Sequence, residues 1–458
     1  MATIQFLGAA RHVTGSKYLL STGDKRVLFE CGLVQGPRAI ANRKNRELGV
    51  DARQVDGVVL SHAHIDHSGA LPRLVKLGYQ GPIHCTKATA ELVEVLLYDS
   101  AHLQRQDAEH LRRRGQEYEP PYDSDDVAQT VRQLRGHDYH TPFEVVPGVG
   151  VEFYDAGHIF GSAMEVITVH EGDRTVRIGF TGDHGRKQTS ILRDPERLPP
   201  VDALITESTY GDREHESSPA IDDKLGAIVR EEMRDGGRIL VPAFAVGRTQ
   251  NLLVSLNHLI TRRQIPPQNI WIDSPMAARA TKIMRQHPEL FDEETKRLLA
   301  SGRDPFFFDG VRFVADVDES KSLNSVRQGI VISSSGMCEG GRILHHLKQS
   351  ISRPEDCILT VGYMAEGTLG RRLVDGNDYV NIFGERYRVR CKVRSLLGLS
   401  AHADYKELLA SLGHLAQHPC KVFVVHGEEG PATRFADRLR DAGFGTVHVP
   451  VHGEICQV

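Results

Sequence analysis

The chain has 458 residues, 40% hydrophobic and 25% charged. That is ordinary globular usage, and it excludes wholesale disorder, collagen-like repeats and a disulfide-stapled miniprotein. A formal net charge of −4 excludes a surface that is basic all over, as a general coat for nucleic acid would be, and leaves local basic patches open.

From residue 3 to about 169, short apolar runs separated by Gly-rich turns alternate with helical segments, an α/β rhythm. Residues 26–30 and 56–60 read as strands and 68–77 as a helix; 87–114 reads as a longer helix with Leu92, Val95, Leu96 and Leu103 on one face. A loop at 119–124 precedes strands at 151–154, 163–170 and 175–180. After about Glu207 the alternation is stricter. Ser218-Pro219 starts a helix whose Leu225, Ile228, Val229 and Met233 form a buried face and which ends at Gly236-Gly237. Strands at 238–242, 270–272, 329–333 and 357–361 repeat that unit and predict a parallel sheet of its own. The expected division is 1–206, an inserted 207–379, and 380–458, the last with strands and a helix at about 405–415. Seven cysteines, widely spaced and without a CxxC pair, indicate no disulfide framework or thiolate zinc site and fit a reducing cytoplasm. There is no apolar signal core at 1–20 and no run of about 18 apolar residues, so no membrane span is expected.

The composition holds 23 histidines against one tryptophan, and the most informative stretch contains several of them. Directly after an apolar strand comes Ser61-His62-Ala63-His64-Ile65-Asp66-His67-Ser68-Gly69. Its three imidazoles and one carboxylate are of the types zinc accepts. The HxHxDH spacing differs from HExxH, where two histidines one helical turn apart face a single metal. Here a loop wraps its ligands around a site with room for two ions, which need more ligands than one loop offers. His158, Asp183 and His426 meet that need. Each follows a short apolar run and sits beside glycine, which would place it at the carboxyl edge of a sheet.

With these residues the sequence resembles the metallo-β-lactamase superfamily and, within it, the β-CASP nucleases, which include the nuclease subunit of the pre-mRNA 3′-end cleavage machinery and prokaryotic relatives. The resemblance covers essentially the whole chain. Its further signatures are Thr206-Glu207-Ser208-Thr209, Pro242-Ala243-Phe244-Ala245-Val246-Gly247-Arg248, Ser334-Ser335-Gly336-Met337, Ser400-Ala401-His402-Ala403-Asp404 and Val425-His426-Gly427-Glu428. It implies an αββα metallo-β-lactamase sandwich interrupted by a β-CASP α/β domain with a mainly parallel sheet, the active site lying in the cleft between the two. It implies two zinc ions, one held by His62, His64 and His158, the other by Asp66, His67 and His426, with Asp183 bridging. One departure stands out: where the family usually has Asp before Cys-Gly, this chain has Glu30. That acid normally orients ligands from behind, so its extra methylene bears on metal affinity without removing a ligand.

The activity so implied is hydrolysis of RNA phosphodiester bonds, endonucleolytic, 5′ exonucleolytic or both. Two zincs sharing a hydroxide clamp the attacking and leaving oxygens of an in-line displacement. Asp66 would both ligate metal and orient the nucleophile, and His402, its ring held by Glu207, would assist the leaving oxygen. A histidine at the position of His426 resembles the RNA-acting branch rather than the DNA-acting one, so RNA is the expected partner; a homodimer stays open. Alternatives are a DNA-acting nuclease, or a thioester or lactone hydrolase on the same dinuclear core. Residues 386–394 put five cations on one face of a strand, which reads equally as phosphate contacts or as a solvated face. Arg248 and the turn at Ser334, Ser335 and Gly336, whose amides could cradle an anion, are further expected substrate contacts.

Overall fold

The computed structural model describes the whole chain except Pro37, Arg114, Gln116, Glu117, Ser217 and Tyr363, and except the side chains of Arg38, Ala39, Ile40, His110, Ser218, Pro219 and Leu397. The chain forms two compact units. Residues 1–187, 194–214 and 402–458 make the first, and 188–193 with 215–401 the second.

The first unit contains two seven-stranded sheets. One runs in spatial order Ile455–Gln457, Thr3–Phe6, Tyr18–Thr22, Lys25–Phe29, Gly57–Val59, Ile83–Thr86 and Leu134–His137. The other runs Thr446–His448, Lys421–Val424, Ala203–Thr206, Arg174–Phe180, Ala163–Glu171, Val149–Asp155 and Phe143–Val146. Side chains alternate along each strand, so one face of each sheet is apolar; Phe6, Tyr18, Val27 and Phe29 meet Phe153, Ile167, Ile178 and Phe423 in a shared core. The opposite face of the second sheet buries Val166, Leu204, Val422 and Val424 against Leu408 and Leu412 of Tyr405–Leu412 and Phe435 and Leu439 of Glu429–Asp441. Helices Lys87–Arg113 and Ser124–Gln133 pack on each other, and the former lies on the first sheet. The result is an αββα sandwich, as expected.

In the second unit all strands of the six-stranded sheet are parallel, in the order Val311–Phe313, Ile270–Asp273, Gly329–Ser333, Arg238–Pro242, Cys357–Val361 and Lys392–Leu396. The four inner strands are buried on both faces, which explains their runs without a polar side, while the edge strands Val311–Phe313 and Lys392–Leu396 are partly exposed. Ile239 and Val241 enter one core with Leu225 and Leu252, while Leu240 enters the other with Ile343 and Leu347. No described helix is long and apolar enough to cross a membrane.

Several expectations shift. The inserted unit ends near Ala401 rather than at residue 379, because Lys392–Leu396 pairs in parallel with Cys357–Val361; that pairing is long-range and has no local signal. The single helix at 68–77 is two, Ile65–Ser68 and Leu71–Lys76, with the Ala70 amide diverted to Cys31 O between them. Leu103 is 43% exposed. At 1.5 Å per residue the helix Lys87–Arg113 is about 40 Å long and outruns the short strands it covers. Its expected end, Arg114, lies outside the described residues, as does any cap from the Ser218 side chain. The helix Glu429–Asp441 was not among the expected elements; Pro431 lies in its first turn, where proline forfeits no intrahelical bond.

A charge is buried where the second unit's sheet begins. Arg238 and Asp356 are both fully buried, 3.3 Å apart through Nε and Oδ2, and Arg238 also donates to Ser350 Oγ at 2.8 Å and Leu323 O at 2.9 Å. Removing one partner strands the other in low dielectric. Asp356→Ala is therefore expected to cost roughly 3–5 kcal/mol in chemical denaturation, more than Arg238→Met, because a stranded Asp356 still has Arg353 at 3.6 Å and can take up a proton, whereas a stranded guanidinium stays charged. An Asp356→Ala loss equal to or smaller than that of Arg238→Met would refute this account.

Candidate metal centre

Three neighbouring parallel strands set the site. Arg174–Phe180 pairs with Ala203–Thr206, and the latter with Lys421–Val424, in registers that align Phe180 with Ile205 and Thr206 with Val424. Asp183, Glu207 and His426 follow these strand ends and are therefore held side by side. His158 follows Val149–Asp155, which runs in the same direction two strands away. From the facing sheet, Gly57–Val59 delivers the His62-to-His67 segment.

That segment is tied to its neighbour by backbone bonds: Cys31 N donates to His67 O at 2.7 Å, Leu33 N to Ile65 O at 2.9 Å and Ser16 N to Asp66 O at 2.9 Å. The approach is so close that a Cβ on Gly32 would stand 1.6 Å from Asp66 O. Gly185 is under the same constraint, with Gly157 O 2.0 Å from where a Cβ would be.

Two donor groups result. In the first, His62 Nε2 and His64 Nδ1 are 3.1 Å apart, His64 Nδ1 and His158 Nε2 3.3 Å, and Asp183 Oδ2 is 3.4 Å from both His62 Nε2 and His158 Nε2. In the second, His67 Nε2 and His426 Nε2 are 3.1 Å apart, Asp183 Oδ1 is 3.3 Å from His67 Nε2, and Asp66 Oδ2 is 3.6 Å from His426 Nε2. Asp183 thus turns one oxygen to each group. Hydrogen bonds alone do not explain this crowding, because one proton cannot serve three converging ring nitrogens. Zinc–nitrogen bonds of about 2.0–2.1 Å in a tetrahedron require donors about 3.3 Å apart, which is the spacing found, so the residues fit a pair of metal ions. Asp183 Oδ1 and His158 Nδ1 are buried without hydrogen-bond partners among the described residues.

The electrostatics agree. Burial depresses His62 and His158 well below the usual imidazole range and brings His64 to about 4, so these rings are neutral and offer lone pairs at neutral pH. Burial would raise Asp183, but His426 and His67 outweigh it and hold the carboxyl well below its ordinary range.

Glu30 is fully buried and lies behind both groups. It accepts from Ser61 N at 2.7 Å and Ser61 Oγ at 3.0 Å, and pairs with His67 Nδ1. Ser61 Oγ is also 2.9 Å from His62 Nδ1. With the hydroxyl proton on Glu30, His62 donates from Nδ1 and keeps its Nε2 lone pair for the centre. His426 is set similarly: Thr209 Oγ1 donates to His426 O at 3.1 Å and lies 3.1 Å from its Nδ1.

Glu207 and His402 meet beside the donors. His402 Nδ1 is 3.0 and 3.1 Å from the two Glu207 oxygens, and its Nε2 faces Asp183 Oδ2 at 3.9 Å. Burial would lower this ring, but Glu207 and Asp183 outweigh it and raise it to about 9. Glu207 Oε1 also accepts from the His184 amide at 2.5 Å. Ser61, Thr209 and His184 were not singled out in the sequence, since a hydroxyl or a backbone donor carries no ligand signature.

The expected substrate contacts lie in the second unit. Arg248 opens the helix Arg248–Thr261 after Gly247. Ser335 Oγ accepts from the Glu339 and Gly340 amides at 3.1 and 3.3 Å, so those amides cap the turn itself rather than standing open to an anion. Ser334 Oγ donates to Ser274 Oγ at 3.1 Å, and Gly336 lies against the Phe244 amide and ring. The cationic strip at 386–394 is not one strand: Glu385–Arg388 and Lys392–Leu396 belong to different sheets. Lys392 pairs with Glu232 and Asp235, and Arg394 with Glu231 and Glu232, so two of its cations are neutralised within the fold.

A histidine-and-carboxylate constellation at the strand ends of an αββα sandwich defines a metallohydrolase. Comparison with known families agrees: residues 13–243 match the metallo-β-lactamase superfamily, 249–373 the β-CASP domain, and 386–450 the Zn-dependent metallo-hydrolase RNA specificity domain. The chain belongs to the β-CASP branch of the metallo-β-lactamase superfamily. It is 37% identical over 423 residues to ribonuclease TTHA0252 of Thermus thermophilus, covering 92% of each chain. It is 31% identical to transcription termination factor FttA of Methanosarcina mazei, covering 92% of this chain and 66% of that one, and 30% identical to FttA of Methanocaldococcus jannaschii, covering 99% and 71%. A crystal structure of a protein of unknown function from Enterococcus faecalis, 15% identical, superposes with a TM-score of 0.56 over 99% of both chains and shares the fold.

Glu30→Ala removes the acceptor for His67 and Ser61 together and is expected to weaken metal binding about 10- to 100-fold in a metal titration. Gly32→Ala is expected to lower the metal bound per folded chain. Wild-type metal affinity in folded Glu30→Ala would show that Glu30 does not orient these donors.

Proposed function

We propose that the chain is a zinc-dependent ribonuclease, with His62, His64, His158 and Asp183 holding one ion and Asp66, His67, His426 and Asp183 the other. The observation that carries the reading is the Asp183 carboxylate, which presents one oxygen to each of two donor groups at 3.3–3.4 Å. When bound, the two ions make a water nucleophilic near neutral pH and take up negative charge developing on the phosphodiester. A small-molecule hydrolase on the same core would have no use for the Glu207–His402 pair. RNA as the substrate is supported by the names of the relatives and by the RNA-specificity domain match.

The chain's own groups do the remaining work. Asp66, 21% exposed at its side chain, faces the second donor group and is placed to orient the nucleophile. His402 donates from Nδ1 to Glu207 and holds a second proton at Nε2, directed toward the donors. A ring charged in this way delivers that proton to the departing ribose oxygen, and the Glu207 carboxylate stabilises the ring while it is charged and fixes its plane. Arg248 remains the second unit's candidate contact with the RNA backbone.

His402→Gln is expected to cost about 10²- to 10⁴-fold in cleavage rate with metal content unchanged. The measurement is a gel assay on 5′- and 3′-labelled RNA and matched DNA, with Asp66→Ala as the inactive control. Undiminished cleavage by His402→Gln would remove the general-acid assignment. Cleavage of DNA but not RNA would overturn the substrate class.

A further inference from the structure

Outside this centre, one other group of mixed metal-ligand side chains converges among the described residues: His448, Glu454 and Cys456. His448 ends Thr446–His448 of the second sheet of the first unit, Cys456 lies in Ile455–Gln457 of the first sheet, and Glu454 closes the connection between them. His448 Nε2 is 2.7 Å from Glu454 Oε1, Cys456 Sγ is 3.8 Å from the same oxygen, and the three donor atoms lie within 4.8 Å of one another.

Backbone and packing fix each of them. His448 stands opposite Phe423 in the ladder and presents its ring edge to that aromatic at 6.5 Å; Cys456 stands opposite Ile4. Val451 N donates to Glu454 Oε2 at 2.8 Å, and Phe6 N to Glu454 O at 2.9 Å. The Val451 amide also holds the Glu454 carboxyl below its ordinary range, so it is ionised at neutral pH. Cys456 is the one cysteine of the seven that is not buried.

We propose that His448 Nε2, Glu454 Oε1 and Cys456 Sγ form a third divalent-metal site, suited to zinc rather than magnesium or calcium, that clips the last strand to the second sheet. A nitrogen, an oxygen and a thiolate are a zinc donor set, whereas magnesium and calcium demand oxygens. Zinc–sulfur and zinc–oxygen bonds at a tetrahedral angle hold those atoms about 3.6 Å apart, close to the 3.8 Å observed. The His448–Glu454 hydrogen bond must open by about 0.6 Å as the ion takes the proton's place. On binding, the thiol proton leaves to solvent and the imidazole proton moves from Nε2 to Nδ1. His448 and Glu454 side chains are 44% and 30% exposed, so a fourth position is open to water.

The test uses the chain with its resident metals and a chromogenic disulfide that reacts with accessible thiols; the six buried cysteines leave the fast signal to Cys456. Added zinc is expected to slow that reaction at least about tenfold. Added cobalt(II) is expected to produce a thiolate-to-metal charge-transfer band, which the other centre cannot give because it contains no cysteine. Cys456→Ser should abolish the band. His448→Ala should keep the fast thiol and lose its protection by zinc. Thiol reactivity indifferent to zinc, or protection that survives in His448→Ala, overturns the site.

Discussion

The constraint on which the rest of the centre depends is the parallel register of three strands. Because Arg174–Phe180, Ala203–Thr206 and Lys421–Val424 lie side by side and run the same way, the loops that follow them open at one edge, about 5 Å apart. Asp183, from the loop after Arg174–Phe180, stands between the two donor groups. One carboxylate can therefore face donors from both sheets without any long side chain reaching across. A slip of one residue in any of these ladders would turn the terminal side chains to the other face, and the constellation would be lost as a whole. The glycines at 32 and 185 express the same constraint in reverse, since the loops close upon each other more tightly than a methyl group allows.

Bringing so many polar groups together in the interior is costly unless their charges are balanced. The first donor group meets the cost by neutrality: burial strips protons from His62, His64 and His158. The second is different. Burial opposes charge on His67 too, yet Asp183 and Glu30 raise that ring well above its ordinary value. The first group therefore presents neutral lone pairs beside Asp183, while the second holds a charged ring between Asp183 and Glu30. Both arrangements suit cation binding, with Asp66 and Asp183 facing the donor nitrogens and Glu30 bracing His67 and Ser61 from behind.

Much of this was legible in the sequence, for identifiable reasons. HxHxDH packs four ligand-type side chains into one loop, a local pattern, and His158, Asp183 and His426 each end an apolar run beside glycine, also local. Repeated strand and helix signals between 238 and 361 were enough to expect a separate parallel sheet. What escaped was non-local or chemically quiet. No local feature reveals that Lys392–Leu396 pairs with Cys357–Val361, so the return to the first unit was set too early. The alternating cations at 386–394 look like an exposed face until Glu231, Glu232 and Asp235 arrive from another helix end. Ser61 and Thr209 govern which ring nitrogen faces the centre, but a serine before a histidine has no distinguishing spacing.

Glu30 shows how a departure from a family pattern is absorbed. A longer acid would ordinarily overshoot a histidine one layer away, yet its carboxylate reaches two targets, Ser61 through N and Oγ and His67 through Nδ1. Its backbone sits at φ 64°, a left-handed conformation that L-residues adopt only when their surroundings enforce it. The enforcement is visible: Glu30 N donates to Val59 O at 3.0 Å, and the following Cys31 is bonded to His67 O at 2.7 Å. The extra methylene is thus accommodated at a turn pinned by neighbouring backbone, and both donor groups are oriented from one carboxylate. Glu30 consequently couples the centre's two halves from behind as Asp183 couples them from within.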